Sequence, residues 1–577
     1  MVQGRQSRTL SRVASGIAGL VAVAGILAAA AHAGERPPGP ARGTPDSNCV
    51  GVVVASSQEK SDLLALLAGE YDATHPHQDG GTCVDVRVNT LASGSAEAAL
   101  ARGWSSSDGP EPTVWTPAAT SWLGILQQDL ITRDITSFLP AETPSLMQSP
   151  LVLAMPKPMA QALGWPNTPV GWADVLKLAR DPQGWGLYGH PEWGRFRLGK
   201  TSPVQSTSGL HALVATYYAA TGLSADLTSA NIEDPKVADF VRGVEASVLH
   251  YGDTVSTFFD GLRAADAKGA AMTYVSAVAT EEKQVLDYDA ARPATPLVAV
   301  YPKDGTMVAD HPFAVLNAPW VTAPQRAAAQ AFLSWLQAPE RQRRFLAAGF
   351  RDSVGHAAPN LGLDSGIVPA GPALVLKPPA PAVLDLVRKS WDTIRKRSRL
   401  LLVLDISGSM DGYKLNQVKA AGAAALQVFS PEDEVGLWAF SDQIHQLIPI
   451  GPVGPNEAEL ARQISALQAG GGTALYRATS DAVGSIQSGW DPTRINAVVL
   501  LTDGQNSDPS DSDLEALLRS LESQPAASTV PVFTIGYGYD ADLGTLKRIS
   551  QASNGRSYSA PDPAHIGTVF ADVISNF

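Results

Sequence analysis

The sequence predicts an α/β protein built from about three globular units or lobes. Its 577 residues exceed what one hydrophobic core holds, since single domains commonly contain about 100–200 residues. From Cys49 onward, short runs rich in β-branched residues alternate with amphipathic stretches, which is typical of a parallel sheet with helices on both faces. Much later, the apolar run "RLLLVLD" indicates another buried strand, which ends at Asp405.

The charge of the chain argues against nucleic acid as a partner. Its formal net charge is −13. Proteins that bind nucleic acid instead concentrate Lys and Arg on one face, where these residues displace counterions. We therefore expect no nucleic acid partner.

The N-terminus has the features of an export signal. Arg5, Arg8 and Arg12 precede an apolar run from Val13 to Ala31, and the small-residue pattern "AHA" ends at Ala33. The run is long for a signal core and is just long enough to span a bilayer. Residues 1–34 are therefore either a signal peptide cleaved after Ala33 or an N-terminal membrane anchor, so the protein is either secreted or held at the cell surface.

The chain contains two cysteines, Cys49 and Cys83, and both follow the export segment. In an oxidising compartment two such residues are expected to pair in a disulfide. The alternative is two free buried thiols.

Two serine clusters follow the first two predicted strands. They are "ASS", ending at Ser57, and "SGS", ending at Ser95, and each precedes a helical pattern. Ligands of such sheets bind beyond the carboxyl ends of the strands, so hydroxyls and helix N-termini would meet in one crevice. The alternative is that these serines only cap helices.

The first unit resembles bacterial extracellular solute-binding proteins of the kind that serve ABC importers. The resemblance is carried by "ASSQEK", "VWTPAATSW", "GKTSPVQSTSGL" and "LVAVYPKDGT", followed by the helical pattern "FLSWL" to "RQRRFLAAGFR". It implies two α/β lobes that close on a small solute, and the sequence pattern itself predicts an inserted second lobe from about Pro150 to Ala294. The implied cleft residues are Ser57, Ser95, Thr116, Ser206, Thr207 and Tyr274.

Two other features of this unit have competing interpretations. Residues 101–200 hold seven tryptophans, which more often fill cores than stack on sugars. The stretch "GRFRLGKT" matches the P-loop pattern at Lys200 and Thr201. The segment before it is not an apolar strand, and Pro203 disfavours a helix after it, so we expect no nucleotide site.

Asp405 and the serines after it form a candidate metal site. Ser407 and Ser409 follow the buried strand at alternate positions, while Thr473 and Asp503 lie in two later segments that would complete the set from adjacent loops. Carboxylate and hydroxyl oxygens suit Mg²⁺ or Ca²⁺ better than zinc.

With "EVGLWAFSD", "VPVFTIGYG" and the final "AHIGTVFADVISNF", these residues resemble the von Willebrand factor type A domain and its metal-ion-dependent adhesion site. The resemblance implies a Rossmann-like domain, mostly parallel, with Asp405, Ser407, Ser409, Thr473 and Asp503 around Mg²⁺, or Mn²⁺ or Ca²⁺. It also implies a protein partner that supplies an Asp or Glu to the metal.

We place a solute-binding-protein-like module at 48–355, a Pro- and Gly-rich linker with a connecting helix at 356–397, and the C-terminal domain at 398–577. We expect an exported, non-enzymatic binding protein that combines solute capture with metal-dependent protein binding, because no catalytic motif accompanies the five ligands. One alternative is a transport component whose C-terminal domain only docks it. Another is an adhesin whose first module is a spacer.

Overall fold

The computed structural model describes residues 49–74, 83–252, 254–525, 528–574 and 576–577. These residues form three sheets in a mixed α/β arrangement, and the first two sheets belong to two lobes of one module. The prediction of an α/β chain with a two-lobed module before a Rossmann-like domain is confirmed.

Lobe 1 is built from the beginning of the chain and from a later return segment. Its strands, in the spatial order 314–315, 114–116, 49–56 and 83–90, are parallel except for the antiparallel edge strand 314–315. Its helices are Gln58–Thr74, Ser93–Arg102, Thr120–Thr132, Ala323–Leu336 and Pro339–Ala347.

Lobe 2 is inserted between these two parts. Its sheet has the strand order 248–252, 198–201, 277–281, 149–156 and 297–300, and the short strand 308–309 also pairs with 149–156. Its helices are Lys157–Ala162, Trp172–Arg180, Thr207–Thr221, Ser229–Glu233, Pro235–Glu245, Val255–Ala267, Ala271–Tyr274 and Glu282–Asp289.

The segment that follows the last helix of lobe 1 packs onto the two-lobed module before the chain continues to the C-terminal domain. Ile367 and Leu376 are buried, and the amide of Leu376 donates to the carbonyl of Thr306 at 2.9 Å. A helix from Pro381 to Ile394, here called the connecting helix, then contacts both lobes. Arg388 on it donates to Asp129 of lobe 1 at 3.0 Å.

The connecting helix also contacts lobe 2, because the phenol of Tyr217 in that lobe donates to Ser390 of the helix at 2.7 Å. The helix ends only four residues before the strand that carries Asp405. Its position therefore relates the two lobes to the C-terminal domain.

The C-terminal domain has six strands in the order 444–452, 434–440, 398–405, 495–502, 532–537 and 557–560. All pairs are parallel except that of the edge strand 444–452. The strand Ser398–Asp405 lies between two neighbours, which explains its almost unbroken apolar sequence. The helices are Tyr413–Leu426, Val453–Ala466, Leu475–Ser488, Leu514–Glu522, Leu543–Ala552 and Ile566–Ile574.

The C-terminal domain packs directly against lobe 2. The amide of Tyr251 donates to the carbonyl of Asn576 at 2.8 Å, and the Lys396 ammonium donates to the carbonyl of Val248 at 3.0 Å. One buried apolar cluster runs through both lobes, the connecting helix and this domain, and includes Trp391 and Phe577. The chain is therefore packed as one continuous body across the module boundary.

A disulfide joins Cys49 and Cys83, the first residues of two paired strands of lobe 1. The predicted export segment 1–34 lies outside the described residues. Among the residues that are described, none of the helices combines the length and apolar character needed to cross a membrane.

Candidate functional site

A cavity of about 490 Å³ lies between the two lobes. Most of its wall consists of side chains at the starts of helices, because the loops after the strands of both lobes converge here. The lining residues are Ser57, Gln58, Glu59, Asp62, Leu63, Ala92, Ser93, Gln205, Ser206, Thr207, Ser208, Thr254, Val255, Ser256, Glu281, Lys283, Gln284, Asp287, Ala348 and Phe350.

Three of the six predicted cleft residues line this cavity: Ser57, Ser206 and Thr207. Thr116 lies beneath it, fully buried, and its carbonyl accepts a hydrogen bond from the amide of Ser57 at 3.2 Å. Thr116 was predicted to contact the ligand, but it lies behind the wall and supports Ser57 instead.

Ser95 and Tyr274 lie elsewhere. Ser95 is exposed to solvent on its helix, and Ser93 lines the cavity in its place, because residues two positions apart on a helix point to nearly opposite sides. Tyr274 is buried and lines a second cavity of about 160 Å³, between lobe 2 and the C-terminal domain.

Sequence reasoning missed the polar residues Ser93, Gln205, Ser208, Ser256 and Gln284 of the wall. Ser93 belongs to the same "SGS" cluster as Ser95, so the cluster identified the right loop but not the right residue. The signal that could have found these residues is their position in the first turn, or just before it, of a helix that follows a strand.

The two lobes are in direct contact at one side of the cavity. The amide of Gly94 donates to the carbonyl of Gln205 at 3.0 Å, and the Trp122 indole donates to Thr207 at 2.8 Å. A Cβ at Gly94 would lie 2.1 Å from the carbonyl oxygen of Val204, so only glycine permits this approach. The lobes are therefore closed on each other here.

A buried charge cluster forms the floor of the cavity. Lys60 donates to Ser57 and lies 3.4 Å from Glu59, while the His311 ring lies between Glu59, at 3.4 Å, and Glu281, at 3.6 Å. Although burial and Lys60 oppose it, the contacts with Glu281 and Glu59 raise the pKa of His311. The cluster spans both lobes, since Glu281 belongs to lobe 2.

Glu59, Glu281 and His311 each offer a ligand atom, and these atoms lie within 4.8 Å of one another. However, the two carboxylates face opposite nitrogens of the imidazole, and the Lys60 ammonium lies 3.4 Å from Nδ1. The two carboxyl groups are thus already matched by two basic groups, and the cluster resembles an internal ion network more than a metal chelate.

The tryptophans and the P-loop match have structural roles. Trp115, Trp122, Trp172 and Trp185 are buried, and none of the seven, all of which the structure describes, lines the cleft. Lys200 lies in a strand, fully buried, and pairs with Glu245. A lysine in this setting is unavailable to a phosphate.

The second candidate site lies at the carboxyl edge of the C-terminal sheet. Asp405 ends one central strand, and Asp503 directly follows the neighbouring strand 495–502. Asp405, Ser407, Thr473 and Asp503 are buried, whereas Ser409 is exposed. The site therefore has an open side at Ser409.

Hydrogen bonds join three of the predicted ligands into one chain. The hydroxyls of Ser407 and Ser409 are 3.0 Å apart, and Ser409 donates to Asp503 Oδ1 at 2.6 Å. Asp405 accepts from the amide of Ser407 at 2.7 Å, which tightens the loop between them.

Thr473 lies on the third loop of this edge. A Cβ at Gly504 would lie 3.5 Å from the Thr473 hydroxyl and 3.9 Å from that of Ser409, which places both hydroxyls beside the residue after Asp503. The structure thus brings all five predicted ligand residues to one edge of the sheet.

Sequence reasoning missed two residues of this edge. Thr502 donates to Asp405 Oδ2 at 2.5 Å, and Lys414 pairs with Asp503 Oδ2 at 2.6 Å. Burial raises the pKa of Asp405 to about 6, with hydrogen bonds from Thr502 and Ser407 opposing it and the nearby Asp503 adding to it. Burial beside a second carboxyl group therefore disfavours the ionised form of Asp405.

The donor set fits a divalent cation such as Mg²⁺. Two carboxylates and three hydroxyls are hard oxygen donors, and Mg²⁺ prefers few protein ligands of this type. The exposed hydroxyl of Ser409 leaves one side of the set accessible to solvent and to a further ligand.

Two family models match the chain. The first, described as bacterial extracellular solute-binding protein, covers residues 52–351, which is more than half of the sequence. The second, described as von Willebrand factor type A domain, covers residues 400–572.

Similar proteins include an uncharacterised protein of Mycobacterium tuberculosis, 24% identical over 564 residues, or 91% of this chain and 78% of that protein. Inter-alpha-trypsin inhibitor heavy chain H2 of Sus scrofa is 28% identical over 187 residues, or 30% of this chain and 20% of that protein. The solved structure of a periplasmic thiamin binding protein aligns at 12% identity and a TM-score of 0.42, over 60% of this chain and 96% of that one.

Proposed function

This chain belongs to the bacterial extracellular solute-binding proteins and carries a C-terminal von Willebrand factor type A domain, and we propose that it is an exported binding protein with two ligand sites. The cleft between the lobes captures a small solute. The C-terminal domain binds a protein partner in a manner that depends on a divalent metal.

The contact that carries the second proposal is the bond from Ser409 to Asp503, 2.6 Å long, between loops that lie 94 residues apart in sequence. Together with Asp405, Ser407 and Thr473 it gathers five oxygen-bearing side chains at one sheet edge, with an open side. Asp405 and Asp503 would hold the charge of the cation, and the three hydroxyls would complete its shell. A bound Mg²⁺, Mn²⁺ or Ca²⁺ supplies a coordination position that an Asp or Glu of the partner fills.

Isothermal titration of Mg²⁺ into the full chain tests this proposal. We expect one-site binding in the wild type and none in Asp405→Ala. Asp411→Ala is the matched control, since Asp411 is an exposed aspartate on the same loop and should leave binding unchanged. No binding in the wild type, or equal binding in Asp405→Ala, would contradict the proposed metal site.

The polar wall of the cleft favours solute capture over a spacer role. Five helices begin at this wall, at Gln58, Ser93, Thr207, Val255 and Glu282. Helix N-termini present free amides and favour the negative oxygens of a ligand, whereas the acidic residues of the wall outnumber its one lysine, Lys283. We infer a small polar solute, with an anionic oxygen-bearing group at the helix starts as the class to test first.

Equilibrium dialysis with labelled sulfate and phosphate tests this inference, with Ser206→Tyr as the variant that fills the cavity and Ser95→Tyr as the exposed control. Saturable binding of either anion that only Ser206→Tyr loses supports capture. Absence of saturable binding of both anions contradicts the anionic class.

The alternative proposal is a transport component that delivers its solute to a membrane permease, with the C-terminal domain as a docking element. The same cleft serves both proposals. They differ in what solute uptake by cells requires. If the C-terminal domain is a docking element of a transport component, Asp405→Ala should reduce uptake. If the protein is a binding protein that does not serve transport, Asp405→Ala should leave uptake unchanged. Export itself rests on the predicted segment 1–34, outside the described residues.

A further inference from the structure

Lys414 lies beside the candidate metal ligands but is not one of them. It is the second residue of the helix Tyr413–Leu426, and its ammonium lies 2.6 Å from Asp503 Oδ2. Its side chain is 23% exposed, whereas that of Asp503 is fully buried. Asp503 therefore divides its two oxygens between Ser409 and Lys414.

The protein holds Lys414 at this place from two other sides. The phenol of Tyr537 donates to the backbone carbonyl of Lys414 at 3.0 Å, which ties the start of the helix to the neighbouring strand. Gly538 flanks the side chain, and a Cβ there would lie 3.2 Å from the Lys414 ammonium. The ammonium is thus confined between Asp503 and the loop after strand 532–537.

Lys414 changes the charge balance of the site. Asp405 and Asp503 contribute two negative charges, and among the ion pairs of the described residues Lys414 is the single basic partner of either aspartate. The ionised set therefore carries one net negative charge. A divalent cation would bring it to one net positive charge with Lys414 present, and to zero without it.

Resting on the proposed metal-dependent function, we propose that Lys414 determines ligand specificity at this edge. Its charge weakens divalent metal binding by the protein alone and leaves the metal-loaded site positive, so that the site takes a carboxylate-bearing ligand. The partner class is accordingly an acidic protein segment whose Asp or Glu cancels this charge. Charges this close interact strongly where water is partly excluded.

The test uses the full chain as wild type, Lys414→Met, Lys414→Arg and Lys419→Met. Lys419 lies on the same helix, is half-buried and has a similar stem, so it controls for loss of a lysine. We expect Lys414→Met to bind Mg²⁺ about tenfold more tightly than the wild type. Lys414→Arg and Lys419→Met should resemble the wild type.

The second readout is binding of acetate, a simple carboxylate, to the Mg²⁺-saturated proteins. We expect about tenfold weaker acetate binding in Lys414→Met, because the loaded site no longer carries net positive charge. The third readout is the melting temperature. Without metal, Lys414→Met should melt below the wild type, since Asp503 loses its partner, and Mg²⁺ should close this gap.

Equal or weaker Mg²⁺ binding in Lys414→Met, where the wild type binds, overturns this proposal alone and makes Lys414 a residue that only positions Asp503. A melting deficit that Mg²⁺ does not close has the same meaning. Absence of Mg²⁺ binding in all four proteins overturns this proposal together with the metal site. Binding by Lys414→Met but not by the wild type supports it in its strongest form.

Discussion

The floor of the cleft and the edge of the C-terminal sheet both bury two carboxyl groups, but they balance them differently. At the cleft floor, Glu59 and Glu281 are matched by Lys60 and His311. At the sheet edge, Lys414 pairs with Asp503, and among the ion pairs of the described residues Asp405 has no basic partner. A buried cluster with as many basic as acidic groups keeps its charges paired, whereas one with an excess of carboxyl groups favours the binding of a further cation or a proton.

In a third cluster, a buried carboxyl group favours its protonated form. Glu97, Asp129 and Asp385 surround Arg388, and among the ion pairs of the described residues the one further basic partner is the largely exposed Lys389, which reaches Asp385. Burial, together with the nearby Asp129, raises the pKa of Glu97 to about 8 against the opposing effect of Arg388. In this cluster the raised pKa of Glu97 thus accompanies an excess of carboxyl groups over buried basic groups.

Removing the lysine of the balanced cluster should have the largest effect. We expect Lys60→Met to destabilise the protein by about 3–5 kcal/mol, because it leaves Glu59 and Glu281 with one basic group. Denaturant unfolding followed by tryptophan fluorescence measures this loss. Lys303→Met removes an exposed pair with Asp174 and should cost no more than about 1 kcal/mol. Equal losses of stability in the two variants would mean that the buried cluster is no more sensitive to the loss of a lysine than an exposed ion pair.

Loss of the disulfide should act on the solute-binding module and leave the metal edge intact. We expect the double variant Cys49→Ser with Cys83→Ser to lose about 2–4 kcal/mol of stability, since the bridge closes a loop with a sequence separation of 34. Melting with and without dithiothreitol measures this. The reductant should lower the melting temperature of the wild type only. A change in Mg²⁺ binding in the double variant would contradict an effect of the disulfide that is confined to the stability of the solute-binding module.

The protonated cluster predicts a pH dependence. The pKa of Glu97 is about 8 in the folded protein and 4.5 in the ordinary, unfolded setting. The folded state therefore favours the protonated form, and its stabilising contribution is complete below pH 4.5 and is lost as the pH rises toward 8. We expect the wild type to lose about 2–3 kcal/mol more than Glu97→Gln does between pH 5 and pH 7.

Unfolding at pH 5, 6 and 7 measures this difference, and Glu70→Gln is the control because Glu70 forms a half-exposed pair with Arg344. Parallel pH curves for the wild type and Glu97→Gln would mean that Glu97 is ionised in the fold. In that case an excess of buried carboxylates would not by itself indicate a need for a proton or a cation.

The smallest effect is expected at Ser95. Because its side chain faces solvent, Ser95→Ala should change the free energy of unfolding by less than about 0.5 kcal/mol and leave anion binding unchanged. Ser93→Ala is the comparison, since the Ser93 hydroxyl accepts from the amide of Ala118 at 3.1 Å. A larger loss at Ser95 than at Ser93 would contradict the placement of the cavity wall.

The residues of the sheet edge could be predicted because each follows a recognisable pattern. Asp405, Ser407 and Ser409 occupy one loop after an apolar strand, and Asp503 directly follows another, so periodicity places them at strand ends. The resemblance to the von Willebrand factor type A domain joined them with Thr473 in one set. Lys414 could not be predicted, because a single lysine on an amphipathic helix is not part of any distinctive sequence pattern. Its role depends on Gly538 and Tyr537, more than a hundred residues away.

The cleft was predictable as a region but not residue by residue. The strand and helix pattern located the loops that hold Ser57, Ser93 and Ser206, since such loops meet at the carboxyl edge of a sheet. The choice between Ser93 and Ser95 depends on the exact start of a helix, which the sequence leaves open by a residue or two. His311 could not be found because its partners come from two lobes.

The connecting helix has a mechanical consequence. Arg388 ties it to lobe 1, Ser390 ties it to lobe 2, and four residues after its end the chain enters the strand that carries Asp405. A rotation of one lobe against the other has to break one of these ties or carry the helix with it. If a rotation of the lobes moves the sheet edge, a ligand in the cleft and a ligand at the edge must change each other's affinity by the same factor.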